Sequence, residues 1–547
     1  MKSMSCFIFG TAFLRISAFI ALLLTGAFAT AQTKDKTSEQ QSLELPIVVV
    51  QGQDKFDVPA VIKKNPTNTP PVVRSMLDSL NSLEKCRPAL LPAAELPEPA
   101  HSPHSADGFI MGESGQFFTS KVQGGIGFTA GNYRLYADAN ANGSAGHIEN
   151  AGYFSYGVGL SSVYVAPEQF IFFGGSRTES SVKFGQRFYK LYGKHESPGA
   201  DVPERTSTSF AVGANIGGIY DNYAYEAAGR WSATGISQAD FDAADNGIFG
   251  SLKVMRNFDN YVLGARLALD FHTLHGVGYN FLEFAGNYKT NVSGVAIETE
   301  VGFQTATSTL ETNSGALRVS GSIRVPLSGN FSLGSSVASG LEQASLGELL
   351  TENPYLNPYT VIDFAKTAVV CASMLYYHPI PTLFAGIGGK FALQNNAPFF
   401  RPDTLEMFGV GYGDISRAEA TGEVLWNPSD NDVMSAHISA VSAVFRNISG
   451  DVPYIPSLRA SSEWTRSWNE QINTRISAVW YGKRRIAEYN NKEIDGWLDI
   501  GFRADYTFRP DISFFAQISN LANSSKIIWN GYREQGISGT VGVLWKF

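Results

Sequence analysis

From Gly108 onward the chain alternates apolar and polar residues in segments of about ten positions, and this pattern constrains the fold more than any other feature. In Trp497–Phe508 one face carries Leu498, Ile500, Phe502, Ala504, Tyr506 and Phe508. A period of two indicates β-strands with one apolar face. Soluble strands average about 5–6 residues, whereas a tilted strand that crosses a membrane needs about 9–11. The pattern therefore favours a transmembrane β-barrel over the alternative, a large secreted sandwich.

The connections between these segments alternate between short and long. Long irregular stretches are expected at Ser176 to Arg205, Glu342 to Asp363 and Gln394 to Asp414. Ten short connections are predicted at Gly131-Asn132, Ala166 to Gln169, Tyr220 to Asn222, Arg256 to Asn260, Lys289 to Asn291, Pro326 to Asn330, His378 to Thr382, Asn427 to Asp432, Thr465 to Glu470 and Arg509 to Asp511. Outer-membrane barrels have tight periplasmic turns and long outer loops. With an opening strand near Phe109 to Phe118 and a closing strand, ten turns predict an all-β, antiparallel up-and-down barrel of about 22 strands.

The first 107 residues have a different character. A basic start, an apolar stretch and the small-x-small sequence Ala29-Thr30-Ala31 predict a signal peptide over residues 1–31. Residues 32–107 are rich in proline and predict a short, irregular periplasmic extension, so that the barrel occupies residues 108–547. The formal net charge of −8 disfavours nucleic acid as a partner. We expect the chain to lie in the outer membrane, in contact with its lipid.

The last strand, GISGTVGVLWKF, alternates up to Phe547. Its lipid-facing side is predicted to carry Val541, Val543, Trp545 and Phe547. An unpaired edge inside hydrocarbon leaves backbone groups unsatisfied, so we expect this strand to pair with the first strand and close the barrel. Val541, Val543, Trp545 and the terminal Phe547 are predicted as the signal by which the barrel-assembly machinery recognises outer-membrane barrels, which a terminal aromatic residue resembles; the alternative is an ordinary edge strand.

Residues Phe515–Phe547 resemble the last two strands of TonB-dependent receptors. The features that carry this resemblance are Asn520-Leu521-x-Asn523, a loop with Trp529 and Tyr532, and the Trp-Lys-Phe ending. The resemblance implies a large outer-membrane barrel that takes up a solute with the help of a TonB-type energising protein.

A second segment, ELPIVVVQG over Glu44 to Gly52, resembles the TonB box of those receptors. Its predicted partner-binding residues are Leu45, Pro46, Ile47, Val48, Val49 and Val50. Extended β-branched segments of this kind bind by adding a strand to the partner's sheet edge. The alternative is an apolar strand that packs inside the barrel.

The chain departs from these receptors because residues 32–107 are too few for their folded plug. Either this extension and the outer loops fill the lumen, or the barrel is an open pore. Several predicted lumen charges would tune permeation in an open pore and would pair with one another in a filled one: Arg134, Asp138, Glu298, Glu300, Arg475, Arg503 and Asp505.

The sequence gives little support for an enzyme, a cofactor or a metal site. His272 and His275 are expected on opposite faces of a strand, with no nearby carboxylate to complete a site. Interfacial girdles are predicted for Trp464, Trp468, Trp480 and Tyr481. Loop positions that could contact a ligand, or simply be solvated anchors, are Tyr355, Tyr359, Trp529 and Tyr532.

The leading functional expectation is transport of a small solute or chelate across the outer membrane. The alternatives are a passive pore and a non-transporting barrel that docks a periplasmic or surface complex through residues 32–107.

Overall fold

The structure is a computed structural model that describes residues 108–170, 173–193, 202–238, 241–403, 407–489 and 491–547. The predicted signal peptide and the TonB-box-like residues Leu45 to Val50 lie outside the described residues. The strands are β1 Gly108–Gly115, β2 Ser120–Ala130, β3 Tyr133–Ser144, β4 Tyr153–Val165, β5 Arg177–Lys190, β6 Glu204–Tyr220, β7 Tyr223–Gln238, β8 Phe241–Asn257, β9 Tyr261–Leu274, β10 Val277–Val292, β11 Val295–Thr307, β12 Asn313–Pro326, β13 Phe331–Gln343, β14 Phe364–Ile380, β15 Leu383–Pro402, β16 Phe408–Ser429, β17 Asp432–Phe445, β18 Leu458–Ser467, β19 Ile472–Tyr481, β20 Arg484–Arg485, β21 Glu493–Ile494, β22 Trp497–Arg509, β23 Ile512–Ser519, β24 Ile527–Trp529, β25 Tyr532–Arg533 and β26 Ser538–Lys546.

Twenty-two of these strands form one closed antiparallel sheet, which confirms the predicted fold and strand number. Each strand pairs with its neighbour in sequence, and β20–β21 and β24–β25 are separate small hairpins in the outer loops. The described helices are a 3₁₀ turn, Gln116–Phe118, and α1, Leu346–Glu352. Within the described residues no helix has the length and apolar character needed to cross a membrane.

The sheet closes where β26 pairs with β1. Ile110 lies opposite Trp545 in this register, and Gly108 and Phe547 exchange backbone hydrogen bonds of 2.8 and 2.9 Å. The closure leaves no open edge along the wall, as a spanning barrel requires.

The outer surface of the wall is apolar. Among its exposed side chains are Ile387 at 67% and Val541 at 62% of their full accessible area. Val543, Trp545 and Phe547 are exposed on the same face of β26. Apolar side chains remain exposed on a wall of this kind because lipid, rather than protein, covers them.

Nine of the ten predicted turns overlap the connections in the structure, but Lys289 to Asn291 belongs to β10. The strand continues to Val292, and the turn is Ser293-Gly294, with φ values of 53° and 82°. Two successive positive φ values are typical of a two-residue hairpin, which glycine favours. The prediction was wrong because the polar side chains of Lys289 and Asn291 face the lumen rather than mark a turn.

The expected irregular stretch Ser176 to Arg205 contains the whole of β5. Its outward face includes Thr178 and Ser180, and Ser180 shares a 2.7 Å hydrogen bond with Ser162 of β4. Polar residues on the lipid side removed the alternation that would have predicted the strand.

The stretch Gln394 to Asp414 is also largely strand, because β15 and β16 extend far beyond the membrane band. Phe399 and Phe400 are adjacent in sequence and both are buried. Because both faces of this hairpin pack against protein, apolar residues occur at successive positions and the alternation of apolar and polar residues is lost.

Candidate functional site

The largest departure from a plain barrel is the connection between β13 and β14, residues 344–363, which we call the inserted loop. It begins with α1, whose N-terminus has a capping box: the Glu348 amide donates to Ser345 Oγ, and the Ser345 amide donates to Glu348 Oε2. Leu346, Leu349 and Leu350 lie on one face of this helix and are buried. The helix therefore forms with its apolar face packed against the barrel.

Asp245, on the lumen side of β8, anchors the start of the inserted loop. Its carboxylate accepts hydrogen bonds from Tyr279 Oη at 2.8 Å and from the Leu346 amide at 3.2 Å. His272 Nδ1 lies 3.1 Å from the same carboxylate, and its Nε2 lies 3.1 Å from Asp270. The expectation that no carboxylate lies near His272 is therefore wrong, because β8 and β9 bring two carboxylates against it.

Arg205, on β6, anchors the end of α1 and the residues after it. Its guanidinium is 1% exposed and donates to the carbonyl oxygens of Pro354 at 3.2 Å and Leu356 at 2.8 Å. Tyr189 Oη donates to the Pro354 carbonyl as well, at 2.6 Å. The inserted loop thus reaches from β13 and β14 to β5 and β6 and crosses the barrel mouth.

Aromatic side chains from several outer loops pack against the inserted loop. The rings of Tyr355 and Tyr532 stack with centroids 3.4 Å apart, and Tyr192 meets Tyr532 at 4.9 Å. These rings pack within or against a larger set of buried apolar residues, which we call the mouth cluster. Its members are Ile236, Leu274, Tyr279, Ala344, Leu346, Leu349, Leu350, Leu356, Ile362, Phe400, Phe408, Val410, Tyr454, Ile494, Trp529 and Tyr532. They come from both sides of the barrel, so an apolar core bridges the outer mouth.

Four aromatic residues lie in environments that differ from those predicted. Trp529 and Tyr532 are 4% and 1% exposed, and burial raises the pKa of Tyr355 well above its usual value. These three side chains are packing residues and not solvated anchors, whereas Tyr359 remains exposed. Tyr481 is also buried, stacked on Trp497 at 4.4 Å, and is not an interfacial residue.

Buried polar groups join the outer loops to one another. Arg484 of β20 donates to the backbone carbonyl oxygen of Ile527 in the loop before β26. Burial lowers the pKa of Arg484 to about 10, although Tyr481 and Tyr454 oppose this shift. The loops therefore hold one another in place as well as the inserted loop.

Beneath the inserted loop, the lumen wall formed by β7 to β14 lines a cavity of about 640 Å³. Its upper boundary includes Ser345 and Glu348 of the inserted loop, and Phe249, Tyr279 and Phe281 add aromatic surface. Charged side chains of both signs line the remaining wall: Arg230, Lys253, Arg266, Asp270, Glu283, Lys289, Glu298, Glu300, Arg318 and Glu342. A concave site with convergent polar groups is the usual form of a small-molecule site.

Many of these charges are paired. Glu283, which is 4% exposed, accepts a 2.6 Å hydrogen bond from Gln304 and lies 3.5 Å from both Arg266 and Arg318. Arg318 also contacts Glu300 at 2.7 Å. This network holds the wall of the cavity in one arrangement.

Five of the seven predicted lumen charges have an ion-pair partner. Glu300 pairs with Arg318 at 2.7 Å, Glu298 with Lys289 at 2.7 Å, Arg475 with Glu463 at 3.5 Å, and Arg503 with Asp505 at 2.7 Å. These pairs are spread around the wall and do not form a single site.

The two histidines of the predicted pair do not converge. His275 stacks on Tyr359 with centroids 5.3 Å apart, whereas His272 contacts Asp245 and Asp270. Nowhere in the described ranges do three or more His, Cys, Asp or Glu side chains form a group that could hold a metal ion.

Sequence reasoning predicted a long connection at Glu342 to Asp363 but missed Arg205, Asp245 and the position of this loop across the mouth. The one local signal was the capping box Ser345-x-x-Glu348 before an apolar run, which predicts a helix start. The partners of this helix lie on strands that are distant in sequence, so the signal did not reveal its position.

No protein-family model matches the chain, and no curated protein matches it in sequence. Solved structures do match it. The FrpB iron transporter from Neisseria meningitidis (F3-3 variant) has a TM-score of 0.65 at 9% identity, with 80% of this chain and 81% of that chain covered. The copper transporter OprC has a TM-score of 0.64 at 12% identity, with 80% of both chains covered. The ferric yersiniabactin uptake receptor FyuA from Yersinia pestis has a TM-score of 0.62 at 10% identity, also with 80% of both covered.

At these identities the likeness shows the fold. The chain has the 22-stranded barrel of TonB-dependent receptors, in agreement with the resemblance of its last two strands. A closed barrel of this size with an apolar outer surface lies in the outer membrane. The titles of these structures name transporters and an uptake receptor.

Proposed function

We propose that this barrel is a gated transporter that carries a small polar solute across the outer membrane. The cavity beneath the inserted loop is the solute site, and the inserted loop is the gate at the outer mouth. The observation that carries this proposal is the position of a charged cavity of about 640 Å³ directly under a bridged mouth. The barrel fold, which is that of structures titled as an iron transporter, a copper transporter and a ferric yersiniabactin uptake receptor, supports it.

The bridged mouth favours gated transport over a passive pore. The mouth cluster is apolar and well packed, and the inserted loop is held by Arg205 and Asp245. A solute that enters from outside must displace these contacts. Opening therefore costs free energy, which binding of the solute or an energised partner has to supply.

We further propose that a TonB-type partner binds Leu45 to Val50 by strand addition. The β-branched residues Ile47, Val48, Val49 and Val50 suit an extended backbone. Pulling on this segment would transmit force from the periplasm to the barrel.

The transport test uses cells depleted of general porins that express the full chain. Uptake of radiolabelled citrate, glucose and putrescine is measured with and without an uncoupler. We expect at least one probe to enter above the empty-vector level and deletion of residues 45–50 to abolish its uptake. Deletion of residues 38–43, a polar segment of equal length, is the control. Uptake of none of the probes would contradict transport, and uptake that survives the 45–50 deletion would contradict the energised form.

The gate is tested in planar bilayers. The full-length protein should conduct little, and replacement of residues 346–356 by a glycine-serine linker should produce large channels. A variant that remains silent would show that the inserted loop is not the gate.

A further inference from the structure

The charges that line the cavity are not equally satisfied. All six carboxylates there have a partner: Asp270 contacts His272 and Glu298 contacts Lys289, while Glu342 accepts from Thr367 and Glu348 from the Ser345 amide. Glu283 and Glu300 share the network with Arg318. Each of the six carboxylates therefore has a cation or a hydrogen-bond donor beside it, although Asp270 Oδ1 and Glu283 Oε1 make no hydrogen bond.

Among the cations that line the cavity, three are paired with carboxylates and two are not. Arg266, Lys289 and Arg318 are paired with carboxylates. Arg230 and Lys253 line the same cavity, and among the residues that the structure describes neither has a carboxylate partner within ion-pair distance. Arg230 and Lys253 are thus the two cavity cations that have no carboxylate partner among the described residues.

Lys253 lies between charged residues of both neighbouring strands. In the β8–β9 register it is directly opposite Arg266, which is paired with Glu283, and in the β7–β8 register it is directly opposite Glu226. Like charges at directly opposite positions of an antiparallel pair destabilise the sheet, whereas opposite charges stabilise it. A bound anion would therefore compete with Glu226 for Lys253.

The guanidinium of Arg230 is held in place without a carboxylate. It lies 5.5 Å from the ring centroid of Phe249, its cross-strand neighbour on β8. This cation–π contact orients the planar group and leaves its N–H donors available. A guanidinium presents these donors in a fork that matches a carboxylate or a phosphate.

We infer that the cavity binds an anionic organic solute, whose carboxylate or phosphate groups are held by Arg230 and Lys253. The inference rests on the proposed function and adds the chemical class of the solute. Phe249 and Phe281 line the same cavity and contact the less polar part of the solute. Neutral sugars and polyamines lack the group that this wall recognises.

The test measures binding of radiolabelled citrate to the purified full-length protein by equilibrium dialysis. We expect R230Q and K253Q each to weaken citrate binding about tenfold, the range of one hydrogen-bonded ion pair, and added salt to weaken it in the unaltered protein. Competition by inorganic phosphate or by acetate distinguishes a phosphate-bearing solute from a carboxylate-bearing one, and either result supports the inference.

Two control variants accompany these. K183Q removes a cation from the lumen side of β5 that does not line the cavity, and it should leave citrate binding within about twofold of the unaltered protein. E226Q removes the carboxylate opposite Lys253 on β7 and should leave citrate binding unchanged or strengthen it. Resistance of the folded barrel to detergent at room temperature confirms that each variant is assembled.

Three results would overturn the inference: unchanged citrate binding in the R230Q/K253Q double variant, equal loss in K183Q, or preferential binding of putrescine or glucose. Each of these leaves the transport proposal standing, because uptake of a neutral or cationic probe would still show transport. Absence of uptake combined with specific citrate binding would instead contradict transport and retain the anion site.

Discussion

The guanidinium of Arg205 donates a 2.8 Å hydrogen bond to the backbone carbonyl oxygen of Leu356, which belongs to the inserted loop on the other side of the barrel mouth. Both residues are almost fully buried. This hydrogen bond connects the barrel wall to the loop that bridges the mouth. Its strength contributes to the free energy needed to move the inserted loop out of the mouth.

Replacement of Arg205 by glutamine should loosen the inserted loop. The carbonyl oxygens of Pro354 and Leu356 would lose a charged donor, at a cost of about 1.5–3 kcal/mol. Channel openings in planar bilayers should become more frequent than in the unaltered protein. R177Q is the control because Arg177 pairs with Glu179 in an exposed position, and equal opening frequencies in R205Q and the unaltered protein would contradict the anchoring role.

Replacement of Asp245 by asparagine should release the start of α1. One carboxylate accepts from the Leu346 amide and from Tyr279, and an amide cannot accept from both partners with the same strength. We expect about 1–3 kcal/mol of lost stabilisation, seen as faster amide hydrogen exchange over residues 346–352. D242N, an exposed position on the same strand, should leave the exchange unchanged. Protection of α1 that persists in D245N would refute the prediction.

The loop before β26 should become less stable as the pH rises. Burial raises the pKa of Glu534 above its ordinary value, although Lys526 and Arg187 oppose this shift. The folded state therefore binds the proton more tightly than the unfolded state, and the stability present below the ordinary pKa is lost as the pH rises through the folded value. E534Q should match the unaltered protein near pH 4 and exceed its loop protection at pH 7.

The measurement for this prediction is amide hydrogen exchange over residues 527–537 at both pH values. E493Q, which removes an exposed carboxylate on β21, is the control and should not change the pH dependence. Identical pH dependence in E534Q and the unaltered protein would contradict the assignment to Glu534.

The role of Phe547 as an assembly signal stays a prediction. Its ring is exposed on the lipid side and lies 5.1 Å from that of Trp545, and its backbone pairs with Gly108. F547S should keep the backbone pairing but lower the folded fraction several-fold, measured by heat-modifiable migration on gels. K546Q changes the adjacent residue on the other face of β26, and the hypothesis fails if both variants assemble equally well.

The barrel wall was predictable because lipid and lumen impose a local period of two. Trp497–Phe508 shows this pattern, and β22 follows it from Trp497 to Arg509. Where the outward residues are polar, as at Thr178 and Ser180, or where both faces are buried, as at Phe399 and Phe400, the period disappears and the strand was missed. The resemblance of Phe515–Phe547 to TonB-dependent receptors named the same barrel independently.

The sequence by itself determined that the chain forms a closed wall of about 22 strands, because hydrocarbon requires every backbone group to pair and favours apolar side chains on the outward face. Only the tertiary structure decided what lies inside the wall. The inserted loop meets Arg205 and Asp245, and Arg230 and Lys253 reach one cavity, through contacts between residues far apart in the chain. Such contacts depend on which strands curve toward one another, and no local period records them.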